Sequence, residues 1–97
     1  SESFYAPNSF TPGDDGRNDV WQIIGIADVT NYELQIFNRW GETIFTTTDV
    51  TQEWEGKHNG LLCPEGTYIW KANFKRQGNQ IIEYTGHINL LRTKRID

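Results

Sequence analysis

The sequence predicts an all-β fold, a two-sheet antiparallel sandwich of about seven short strands of immunoglobulin-like type. Three observations carry this prediction. No stretch keeps the 3.6-residue apolar period of a helix, apolar/polar alternation returns in segment after segment, and turn-forming residues punctuate the apolar runs at close spacing. The chain has 97 residues, aromatics make up 13% of them and Met is absent, so one core built from rings and β-branched side chains fits the length. There is no internal repeat and no linker. Residues 1–97 therefore read as a single domain.

The first element is an ordered loop. Between Phe4 and Trp21, Pro7 and Pro12 hold φ near −65° and push Ala6 and Thr11 towards extended conformations, which excludes a helix. Asn8, Asp14, Asp15, Asn18 and Asp19 can each bond back to a neighbouring backbone N–H and shape the loop from within. Val20 to Ile24 follows as a short strand closed by Gly25. In Tyr32-Glu33-Leu34-Gln35-Ile36 the alternation places Tyr32, Leu34 and Ile36 on one face. Asn38-Arg39-Trp40-Gly41 reads as a turn with Gly41 in the left-handed position, and Thr43 to Thr47 returns antiparallel.

Asp49 to Glu65 is polar and irregular, with Trp54 as its one large anchor. The Trp54-Glu55-Gly56 segment is expected to touch the sheet as a short edge piece. Pro64 and Gly66 mark the start of the next strand, where Tyr68, Trp70, Ala72 and Phe74 alternate with Ile69, Lys71, Asn73 and Lys75. A turn at 77–80 leads into the last strand, with Ile82, Tyr84, Gly86, Ile88 and Leu90 facing one way and Glu83, Thr85, His87 and Asn89 the other.

Four segments together carry a family resemblance. They are Pro7-Asn8-Ser9-Phe10-Thr11-Pro12 with the acidic loop after it, then Ile36-Phe37-Asn38-Arg39-Trp40-Gly41-Glu42, then Trp54-Glu55-Gly56 with Gly60, Pro64, Gly66 and Tyr68, and finally Gly86 to Arg92. In order and spacing the chain resembles the gliding motility-associated C-terminal domain, the type B sorting domain of the type IX secretion system. It departs from that pattern at Gly13-Asp14, where the family usually has Asn-Gly, and at Glu55, where it usually has Asp. The resemblance implies a sandwich fold and a non-catalytic role as the folded address read by the type IX machinery, an outer-membrane translocon or shuttle, while the passenger crosses the outer membrane of a Gram-negative bacterium. It also implies a secreted or cell-surface passenger. The chain then reads as a piece cut from a longer exported protein.

Charge divides the chain. The net charge is −4, but residues 1–56 carry net −8 and residues 57–97 net +4. The acidic balance disfavours nucleic-acid binding, and no apolar run approaches the ~18 residues of a membrane span. The basic cluster Arg92, Lys94 and Arg95 reads either as a solvated tail or as a contact for the export machinery, together with the loop of Asp14 to Asp19.

Catalytic signals are missing. His58 and His87 read as surface residues, the serines at 1, 3 and 9 have no nucleophile-elbow setting, and Glu53 and Glu55 read as solvated charges beside Trp54. Cys63, the one cysteine, can form no internal disulfide and reads as a small packed residue beside Leu61, Leu62 and Pro64. No cofactor is implied, with one candidate exception. Asp14, Asp15, Asn18 and Asp19 offer four oxygen-bearing side chains around Gly16, which suits a structural Ca²⁺ and equally suits metal-free Asx-turns. The alternative function is a carbohydrate-binding module with Trp40 as the stacking platform, while Trp21, Trp54 and Trp70 read as structural. Oligomeric state is left open.

Overall fold

The computed structural model describes residues 4–12, 20–26, 28–76 and 78–92. Their strands are β1 (Ser9–Phe10), β2 (Thr30–Phe37), β3 (Thr43–Thr47), β4 (Lys57–His58), β5 (Leu61–Leu62), β6 (Gly66–Lys75) and β7 (Ile81–Leu90), and none of the described residues is helical. Five strands form one sheet in the order β1-β7-β6-β2-β3, while β4 and β5 pair as a separate ribbon. The all-β reading is borne out. One pairing departs from a purely antiparallel arrangement, because β1 runs parallel to β7.

The alternation in β2 and β6 decides which side of the sheet is covered. Tyr32, Leu34 and Ile36 are buried, as are Tyr68, Trp70, Ala72 and Phe74, and the register sets Leu34 beside Ala72 and Ile36 beside Trp70. Ile88 and Leu90 continue this face on β7, whereas Tyr84 is exposed. Between β2 and β3 the pairing slips by one residue, with Ile36 opposite Phe45 and Phe37 opposite Thr43, so Ile44 is the extra residue of a bulge and lies buried. The turn follows the sequence reading. Gly41 has φ +86°, and its N–H donates to the Asn38 carbonyl at 3.0 Å.

Over the covered face lies extended chain that makes few ladder bonds. Val20 to Ile24 is no continuous strand: Trp21 exchanges two backbone bonds of 2.8 Å with Trp54, and Ile24 exchanges two, of 2.8 and 2.9 Å, with Tyr5. The partner changes within three residues, so no longer ladder can form. The side chains still alternate, with Trp21 and Ile23 buried and Ile24 exposed. The Trp54 segment also departs from expectation, since its backbone pairs with Trp21 and not with a sheet edge. Its ring reaches the sheet, with a centroid 5.5 Å from that of Tyr68. Gly56, at φ +80°, lies so close to Pro12 that a Cβ would stand 2.8 Å from the proline Cγ.

The four tryptophans divide as their positions imply. Trp21, Trp54 and Trp70 are buried and Trp40 is exposed. The indole N–H of Trp21 donates to the Pro7 carbonyl at 2.6 Å, which ties the opening segment to the core. At the far end of β6, Phe74 stacks on Tyr84 at 5.6 Å and lies 6.4 Å from Tyr32.

Burial pushes the Tyr32 phenol up to about 12. The unfolded chain therefore gives up this proton first as pH rises. The associated stability is fully present below pH ~10 and declines by roughly 2 kcal/mol on the way to pH ~12. Urea unfolding at pH about 10 and about 11.5 checks this. Tyr32→Phe is expected to flatten that part of the pH profile.

Candidate functional site

The two most exposed large apolar side chains among the described residues, Trp40 and Leu61, lie at one end of the sheet. The tip joining β2 to β3 is wired by a single side chain: Asn38 Oδ1 accepts from the backbone N–H of Trp40 at 2.9 Å and of Glu42 at 3.0 Å, and its Nδ2 donates to Glu42 Oε1 at 2.6 Å. A fixed tip holds Trp40 outward, 76% exposed, with the Arg39 guanidinium 5.0 Å from the centre of its ring.

Facing this tip is the β4–β5 ribbon. Asn59 and Gly60 turn it with φ +58° and +82°, the two positive values that a two-residue type I′ hairpin loop requires. An Asn-Gly pair is the strongest short-range hairpin signal, and here it lies inside the polar stretch that reads as irregular. The ribbon carries Leu61, 73% exposed, and Leu62, 52% exposed. The expected packing of Cys63 holds, but the two leucines beside it do not join the core. β4 and β5 pair with each other outside the five-stranded sheet, and both leucines stay exposed.

Between tip and ribbon lies a cavity of about 310 Å³, with Trp40, Ile44, Leu61, Leu62, Cys63 and Tyr68 among its lining. Its floor is held from below. The Tyr68 hydroxyl donates to the Pro64 carbonyl at 2.6 Å, and Arg92 donates through a guanidinium nitrogen to the Cys63 carbonyl at 2.7 Å. Burial pushes the Cys63 thiol up, against a smaller pull down from the Tyr68 hydroxyl and from Arg92. A thiol so placed stays protonated at neutral pH and is no activated nucleophile. Burial also pushes the Tyr68 phenol up, with Cys63 adding to the effect, while Arg92 and Arg39 both pull it down.

The fold thus brings together two residues that the sequence singles out, Trp40 on the rim and Arg92 under the floor. Lys94 and Arg95 lie outside the described residues, as do Asp14, Asp15, Asn18 and Asp19, the candidate calcium ligands. Among the described residues no group of three or more His, Cys, Asp or Glu is placed to hold a metal ion. His58 is exposed and lines the cavity, and His87 is exposed on β7. Glu55 is exposed and lies 3.7 Å from Lys57. Trp40 has the exposure a sugar platform needs. The other ring on the same cavity, Tyr68, is buried, so the pair of exposed rings that makes a sugar-stacking groove is not formed.

Residues 4–90 match the CHU_C type IX secretion signal domain family. The chain belongs to this family. No curated protein and no solved structure matches it. The matched range spans all seven strands and every residue of the cavity wall, so the converging tip and ribbon are part of the type IX secretion signal domain itself. Membership implies interaction with the type IX secretion machinery and a protein exported across the outer membrane, secreted or held at the cell surface. Among the described residues no helix is long and apolar enough to cross a membrane.

Proposed function

We propose that this type IX secretion signal domain is the non-catalytic C-terminal sorting domain of a longer exported protein, of the kind associated with gliding Gram-negative bacteria, and that residues 1–97 act as one unit. The observation that carries this reading is the family match across residues 4–90. The geometry supports it in two ways. A self-wired tip and a tight ribbon present a preformed apolar surface, as recognition by a partner requires, and burial keeps the Cys63 thiol protonated. Arg92, Lys94 and Arg95 and the loop of Asp14 to Asp19 are proposed as further contacts for a translocon or shuttle, and of these Arg92 alone lies among the described residues.

The test is secretion in a native host of a fluorescent protein carrying residues 1–97 at its C-terminus, beside a fusion ending at Leu91. The full domain is expected to take the reporter to the medium or cell surface, and the shortened one to leave most of it in the periplasm. Retention of both fusions would remove the sorting role. Export of both would remove the last six residues from the signal.

A further inference from the structure

We infer that the open edge of β7, from Ile81 to His87, is a self-association surface on which a second copy of this chain docks antiparallel, with Tyr84 on the two-fold axis. The inference does not rest on the sorting reading. In the order β1-β7-β6-β2-β3, β7 has a neighbour on each side, but β1 covers it only at Asn89 and Leu90. Upstream of Asn8 the chain leaves this edge, since Pro7 has no N–H to offer and Tyr5 exchanges its backbone bonds with Ile24.

Parity fixes which groups face outward. The Asn89 N–H donates to the Asn8 carbonyl and the Leu91 N–H to the Phe10 carbonyl, so odd-numbered residues present their N–H and C=O on this side. β7 pairs with β6 without a register shift from Ile81 to Leu90, and the alternation therefore extends back through His87, Thr85, Glu83 and Ile81. No backbone bond among the described residues reaches these four on that side. Proteins guard such an edge with prolines, bulges or charges. This stretch of β7 has neither proline nor bulge, and its one carboxylate, Glu83, already lies 3.7 Å from Lys71. The other edge strand, β3, is shorter and carries the Ile44 bulge.

The same strand selects its partner. With Tyr84 opposite Tyr84 of the second copy, Ile81 meets His87 and Glu83 meets Thr85 on both sides of the axis, so every outward group is used and each pair exchanges two bonds. Neighbouring registers fail. Moving the axis to Glu83 sets two carboxylates face to face, and moving it to Thr85 brings Ile81 onto Asn89, which β1 already occupies. Side chains fit the central register as well. Ile69 and Ile81, both exposed, come into one row through His87, the direct partner of Ile69. On the opposite face Tyr84, which is also exposed, meets its own copy, and Ile82 meets Gly86, which adds no side chain of its own. A two-fold contact of this kind closes at two copies.

The test is sedimentation velocity of the 97-residue chain from about 10 µM to about 1 mM, where a reversible dimer is expected to form by mass action. Thr85→Pro removes one outward N–H and no bond to β6, so it is expected to weaken association roughly ten-fold or more at an unchanged circular dichroism spectrum. Thr85→Lys sets a cation opposite Glu83 on both sides of the axis and is expected to tighten the dimer on the order of five-fold at low salt. Tyr84→Cys reads the register directly. With oxidised glutathione it is expected to give a disulfide-linked dimer, while Ile82→Cys, which meets Gly86 and not its own copy, is expected to stay unlinked. A chain that is monomeric at the highest concentration, a dimer untouched by both Thr85 substitutions, or linkage through Ile82→Cys in preference to Tyr84→Cys would overturn the inference.

Discussion

Trp54→Ala is expected to destabilise the domain by about 3–5 kcal/mol, the usual cost of truncating a buried tryptophan, and to lower its Tm by roughly 15–30 °C. Its side chain joins several parts of the molecule. Its ring lies 5.4 Å from Phe10 on β1, 5.5 Å from Tyr68 on β6 and 6.4 Å from Phe45 on β3, between centroids. Its indole N–H donates to the Lys57 carbonyl at 3.1 Å, which anchors the β4–β5 ribbon. Alanine would leave a cavity bounded by three strands and free that carbonyl. With a total stability of ~5–15 kcal/mol for a domain of this kind, the loss is a large share. Trp54→Phe retains most ring contacts but not the donor, so it should recover more than half of the loss. Thermal and urea unfolding followed by far-UV circular dichroism would measure both, and a Trp54→Ala loss below about 1 kcal/mol would contradict the anchoring role.

Gly86→Val is expected to cost about 2–3 kcal/mol, in the range of core overpacking. The reason is space and not backbone conformation. Gly86 pairs directly with Trp70 across β6 and β7, and the indole lies over the glycine so closely that a Cβ would stand 2.7 Å from Nε1 and 2.9 Å from Cε2. The ring cannot yield freely, because its other neighbours include buried Trp21, 5.9 Å away between centroids. Valine's preference for strands offsets only part of the strain. A double-mutant cycle makes the claim specific. Trp70→Leu removes the obstructing ring, so Gly86→Ala should be markedly less harmful in that background, with a coupling of about 1 kcal/mol or more. Additive losses would show that the crowding lies elsewhere.

Both substitutions act on the scaffold that carries the candidate site. Trp54 anchors the ribbon bearing Leu61 and Leu62, while Trp70 and Gly86 hold the sheet from which the Trp40 tip extends. A type IX fusion with either change should lose export in proportion to the folded fraction. Leu61→Asp should lose it without unfolding. That contrast separates folding from recognition in one secretion experiment.

Much of this protein is decided by its sequence alone. Alternation on a strand needs only neighbours two residues apart, so the buried face of β2 and β6, the turn at Gly41 and the anchoring role of Trp54 are all legible. The family motif is legible for a similar reason, because its turn residues and rings recur at set intervals from Pro7 to Arg92. The Asn59-Gly60 hairpin is also written in the sequence, and the polar composition around it conceals the signal. What the tertiary structure alone decides depends on partners distant in sequence. The parallel pairing of β1 with β7, the exchange of backbone bonds between Trp21 and Trp54, and the indole that covers Gly86 each join residues 16 to 80 positions apart. The candidate site belongs to this second class. Trp40, Leu61 and Arg92 come from three separate turns and ends, and local pattern carries no information about which of them meet. Their meeting follows from the core, since burying Trp54 against both sheet and ribbon brings those loops to one end and leaves their apolar tips uncovered.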